Sequence, residues 1–157
     1  MGSLMDLVAG DVRDIVLALA IDDVAAFEDR DRFPAHLPLG GGLDPTWLDL
    51  FSEAVRSVTG NDDLSDFLDA RTELDGATSS SVERIVDLVD PAWIEAVGDV
   101  HDDLLGPLAG RWIDLIEEEL GLLPREEKPW IRDLAGRIVT FARSARGAND
   151  IVFAWAF

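Results

Sequence analysis

The chain closes on IVFAWAF, residues 151–157, seven consecutive apolar residues in a protein that carries 32 acidic side chains. That β-branched and aromatic content reads as a strand, and an exposed copy of it would be an open template for aggregation. It is also far short of the ~20 residues that cross a bilayer. The heptapeptide is therefore expected as a core strand that closes a sheet, with the other elements arranged to cover it. GAND at 147–150 supplies the tight turn that leads into it.

Helix starts are marked by aspartate, twice followed by proline. Asp11 precedes VRDIVLALA, Asp44 precedes Pro45, and Asp90 precedes Pro91. A carboxylate at the cap accepts from the free N–H groups of the first turn, and proline is harmless there because its own N–H would be unpaired anyway. Residues 3–9 alternate in part and read as a short strand. The following helix places Val12, Ile15, Val16 and Leu19 on one face, and a second short helix at 22–29 adds Val24 and Phe27. RFPAHLPLGGGLDP, residues 32–45, reads as a loop because of its Pro and Gly content. The helix opened by Pro45 carries the stripe Trp47, Leu48, Phe51, Val55 and Val58, with Gly60 at the left-handed C-terminal cap. Residues 64–74 repeat the helical pattern more weakly.

VERIVDLV at 82–89 would suit a helix through Val82, Ile85, Val86 and Val89, but it is short, β-branched and cut off by Asp90-Pro91. It reads as a strand, followed by a helix that buries Trp93, Ile94 and Val97. A longer helix over 103–120 carries Leu104, Leu108, Trp112, Leu115 and Ile116, and Pro107 requires that it start just before that residue. The last helix, 129–146, is expected to bury Trp130, Ile131, Leu134, Ile138, Phe141 and Ala145. The expectation is a helix-dominated α+β fold, one compact domain over 1–157, with a small sheet that includes both the N-terminal and the C-terminal strand.

The formal net charge is −19, from 22 Asp and 10 Glu against 12 Arg and the single Lys128. Such a surface repels nucleic-acid phosphates and anionic lipid headgroups, so no nucleic acid and no membrane is expected as a partner. A basic protein partner suits it better, mimicry of DNA being one form of that idea. A high-GC genome or a salt-adapted, halophilic cytoplasm would each produce the same bias.

The charge is unevenly spread. Residues 125–146 hold six cations against three acids, whereas residues 1–124 hold 28 acids against seven arginines. Glu117, Glu118 and Glu119 end a helix, where the dipole disfavours anions, and so require cations nearby. Arg132, Arg137, Arg143 and Arg146 are accordingly candidates either for pairing with the acidic body or for docking a partner.

No residue pattern assigns a catalytic, cofactor-binding or metal-binding role. There is no cysteine and no secretory leader pattern, which gives a cytoplasmic expectation. The two histidines are His36 and His101. The HDD at 101–103 resembles part of the His, His-Asp, Asp ligand series of metal phosphohydrolases, with His36 and Asp133 as outer members. Adjacent residues on a helix diverge, however, and could not jointly face one ion. GGG at 40–42 precedes a helix, but Asp44 already occupies its positive pole. Serines 79–81 read as loop and cap chemistry, and no GxSxG, GxGxxG or GxxxxGK[ST] occurs.

The order of features resembles the small YfbM-like family: MGS running into a strand, a Trp-bearing helix ending VTG, a strand followed by DPAWIEAV, and FARSARGANDIVFAWAF at the end. That resemblance, in layout over most of the chain, implies an α+β domain of unknown function with strands at both termini. The Trp and following His of the family's Trp-bearing helix are replaced here by Phe51 and Val55, so no site is carried over. The sequence leads to a soluble, non-catalytic binding or regulatory protein of the immunity type. The alternative is a metal-dependent hydrolase using His101, Asp102 and Asp103. Oligomeric state is left open.

Overall fold

A computed structural model describes residues 4–21, 23–40, 43–74 and 84–156. The strands are β1 (Leu4–Gly10), β2 (Ala35–Pro38), β3 (Arg71–Glu73), β4 (Arg84–Val89) and β5 (Asp150–Ala156). The α-helices are α1 (Val12–Ala20), α2 (Pro45–Thr59), α3 (Pro91–Gly98), α4 (Leu105–Leu120) and α5 (Lys128–Ala145). Short 3-10 turns occupy Val24–Glu28 and Asp102–Leu104. The strands form one antiparallel sheet in the order β2-β1-β5-β4-β3. The α+β class and the strands near both ends of the chain are thus present. β5 does more than close the sheet: it is the central strand, paired along its length with β1 and along most of it with β4.

Strand alternation explains the apolar runs. Met5, Leu7, Ala9, Ile151, Phe153 and Val89 point to one face, where α2, α3, α4 and α5 pack in a single hydrophobic cluster. Val8, Val152, Ala154 and Val86 point to the other, covered by Ile15, Ala18 and Leu19 of α1 with Phe27 and Phe33. Because both faces of β5 are buried, its sequence reads as a continuous apolar segment rather than as an alternating one, whereas β1 is interrupted by Asp6, which pairs with His36.

The aspartate caps form as the sequence suggests. Asp11, Asp44 and Asp90 accept from the backbone N–H of Arg13, Thr46 and Ala92 at 2.8, 2.8 and 2.9 Å. Gly60 closes α2 at φ 73°, the left-handed region that a Cβ disfavours. Asp150 of β5 also accepts from Val12 N at 3.1 Å, fastening the start of α1 to the last strand.

Two segments depart from expectation. Residues 35–38 lie in a stretch expected as loop, yet they pair with β1. Residues 64–74, expected as weakly helical, instead form turns at 67–70 and then β3, whose pairing with β4 fixes the extended backbone. Gly41, Gly42 and the serines at 79–81 lie outside the described residues. The 22–29 helix is a 3-10 turn at Val24–Glu28. No helix among the described residues is long and apolar enough to cross a membrane.

Candidate functional site

A feature with the shape of a binding site among the described residues is an open cleft of about 680 Å³ between the sheet edge and the helical layer. That volume falls within the range typical of ligand pockets. One wall is β2 with Pro34, the opposite wall is α5, and the first turns of α4 close one side. The α5 contribution is a helical stripe through Arg132, Gly136, Arg137, Thr140 and Ser144. Its rim carries Arg30, Arg132 and Arg137 against one acid, Asp133, in a chain of net charge −19.

The four arginines singled out in the sequence divide into two pairs. Arg143 donates to the carbonyls of Gly98 (3.3 Å) and Val100 and to Asp102 at 2.7 Å. Arg146 reaches Asp99 at 2.5 Å and the Glu95 carbonyl at 3.2 Å. Both therefore neutralise the negative pole of α3 and the acids that follow it. Arg137 makes a loose one-turn pair with Asp133 at 4.0 Å, and Arg132 has no ion-pair partner among the described residues. Two of the three glutamates at the end of α4 have a cation beside them: Lys128 lies 3.4 Å from Glu117 and Arg111, on α4 itself, lies 3.7 Å from Glu118, while Glu119 has no ion pair among the described residues.

β2 and Arg30 were missed, although the sequence holds a signal for the strand. Phe33, Ala35, Leu37 and Leu39 are all buried, with Pro34, His36 and Pro38 between them, a period of two hidden behind the prolines. Proline is tolerated because β2 is an edge strand. The register supplies the reason: Leu39 N donates to Met5 O at 2.8 Å, so residues 39, 37 and 35 occupy the bonded positions opposite β1. His36 and Pro38 then fall at the positions whose backbone groups face away from β1. The His36 side chain is 5% exposed and 2.8 Å from Asp6, while the residue as a whole is only partly buried, so its accessible part is main chain.

The metal-ligand series is not assembled. His101, Asp102 and Asp103 sit on an exposed 3-10 turn and its cap, Asp102 is held by Arg143, and His36 is a β2 residue paired with Asp6. Among the described residues no group of three or more His, Asp or Glu converges where an ion could be held.

A second polar place lies within the core. The Arg71 guanidinium stands over the rings of Phe67 and Phe153, 5.0 and 4.9 Å from their centroids, and Arg71 Nε is buried without a hydrogen-bond partner among the described residues. Burial pushes the Asp87 carboxyl above the usual range, more than Arg71 pulls it down. Asp49 is likewise raised by burial, opposed by the N–H of Leu68 that it accepts.

No family model, no curated protein and no solved structure matches this chain. The cleft is thus read from its own chemistry.

Proposed function

We propose that the chain is a non-catalytic protein-binding or regulatory module, of the kind that immunity-type proteins represent, and that the cleft between β2 and α5 is its recognition site. The observation that carries this reading is the conjunction of an open sheet edge with a preformed concavity rimmed by three arginines. Edge strands are normally blunted or covered because their free backbone groups invite pairing. This one faces a cleft lined by Leu37, Leu105, Ala109 and Phe141, an apolar floor with polar groups at its margin, as recognition grooves have. The strongly acidic remainder of the surface disfavours nucleic acid and anionic membranes and draws basic surfaces toward the chain, which keeps a basic protein partner within this reading.

The cleft can be tested whatever the charge of its partner. Gly136 lies in its wall, and a Cβ placed there meets nothing within 4 Å, so a large side chain enters open space. Selection of a random peptide library on the native chain, counter-selected on Gly136→Trp, should yield ligands that bind only the open cleft. A library returning only ligands indifferent to the substitution would overturn the assignment.

A further inference from the structure

Resting on that assignment of the cleft, we propose that its occupant is an acidic peptide segment, bound in extended form as an added strand beside β2. The backbone of β2 sets the first condition. His36 directs its N–H and C=O away from β1, and Pro38, the next outward position, offers a carbonyl but no N–H. The edge therefore presents one donor and two acceptors, which an extended backbone can match and a small free anion cannot. The other sheet edge, β3, is only the three residues Arg71–Glu73.

Charge sets the second condition. Arg30, Arg132 and Arg137 outnumber Asp133 at the rim, and Arg132 is uncommitted among the described residues. Guanidinium groups pair carboxylates in two-point geometry, so acidic side chains projecting from an added strand are the matching chemistry. The overall charge of −19 opposes such a ligand at long range. Screening confines that repulsion to about 8 Å at physiological ionic strength, so at contact the three near arginines decide. Space sets the third: an added Cβ at Gly106 of α4 or Gly136 of α5 meets nothing within 4 Å, so both helices leave room for a chain.

The test uses the full chain, isotope-labelled, at about 0.15 M salt, where screening is effective. The probe is a short capped peptide alternating glutamate and valine. Its expected effect is to shift the amide signals of residues 35–38 and of the cleft-facing positions of α5. Methylating alternate peptide nitrogens should abolish binding, and Arg132→Glu or Arg137→Glu should each weaken it about tenfold, since attraction becomes repulsion. Gly136→Leu should block it while leaving the thermal midpoint unchanged or higher, with Gly136→Ala as the smaller control. Equal binding of the methylated peptide would overturn strand addition. Occupation of the cleft by the lysine counterpart, or by a single-stranded oligonucleotide, in place of the acidic peptide would overturn the acidic occupant; the lysine result would leave the cleft a protein-recognition site. If neither peptide touched the cleft, the inference and the assignment beneath it would both fall.

Discussion

Arg71 meets Asp87 across the β3–β4 pair at 3.4 Å, with the two side chains 10% and 11% exposed. The partners are not equivalent. Asp87 can escape an unfavourable site by taking up a proton, whereas arginine stays charged. Because burial outweighs the attraction of Arg71, the folded Asp87 holds its proton more tightly than the unfolded chain does. The folded state then binds more protons, so stability falls as pH rises from about the ordinary carboxyl value of 3.8 through the raised folded one.

Asp87→Asn should consequently cost less at neutral pH than removal of Arg71, because burial already disfavours the ionised carboxyl, and it should remove part of that pH slope. Arg71→Met should cost about 2–4 kcal/mol at pH 7, since it strands a buried carboxylate, and should recover as the pH is lowered. Urea titrations across pH check both. An Asp87→Asn loss equal to that of Arg71→Met would show the two partners to be equivalent after all.

Trp93 donates its indole N–H to Ser52 Oγ at 2.9 Å, and Ser52 in turn donates to the Leu48 carbonyl at 3.2 Å. Both side chains are buried, and Trp93 also packs against Phe51 and Phe67. Ser52→Ala deletes the acceptor of a buried donor, and should cost about 1–3 kcal/mol with a change in near-ultraviolet circular dichroism. A loss below about 0.5 kcal/mol would mean the indole finds another acceptor.

The division of the arginines gives a contrast in stability. Arg143→Met should cost about 1–2 kcal/mol, because the Gly98 and Val100 carbonyls lose a charged donor. Arg132→Met should stay within about 0.5 kcal/mol. Gly98→Ala should behave like loss of Arg146, since an added Cβ would stand 2.8 Å from the Arg146 guanidinium and displace it. Thermal midpoints of the variants rank them directly.

Carboxylate repulsion at a net charge of −19 should make stability rise from low to molar sodium chloride, by roughly 5–10 °C in midpoint. A flat response would assign the composition to genome bias rather than to salt adaptation.

Local signals carried much of this fold. Asp11, Asp44 and Asp90 cap the helices because a carboxylate satisfies neighbouring N–H groups with no long-range help. The apolar stripes of α2 and α4, that of α5 apart from Trp130, which is 39% exposed, the Gly60 cap and the burial of 151–154 follow from composition and period alone. Pairing partners have no such local signature. Ala35 and Leu37 carry a period of two that the flanking prolines mask, and it is β1 beside them that makes the segment a strand; β3 is extended only because β4 is.

The sequence by itself thus determined which segments must be buried, where most helices begin and that the surface is acidic, since each follows from chemistry within a few neighbouring residues. The tertiary structure alone decided that β5 runs through the middle of the sheet and that β2 is left as an edge. It also decided that Arg143 and Arg146 are consumed at the end of α3 while Arg132 and Arg137 face an open cleft. Those outcomes depend on which surfaces meet across the chain, and a contact between residues distant in sequence is fixed by the packing of every element between them.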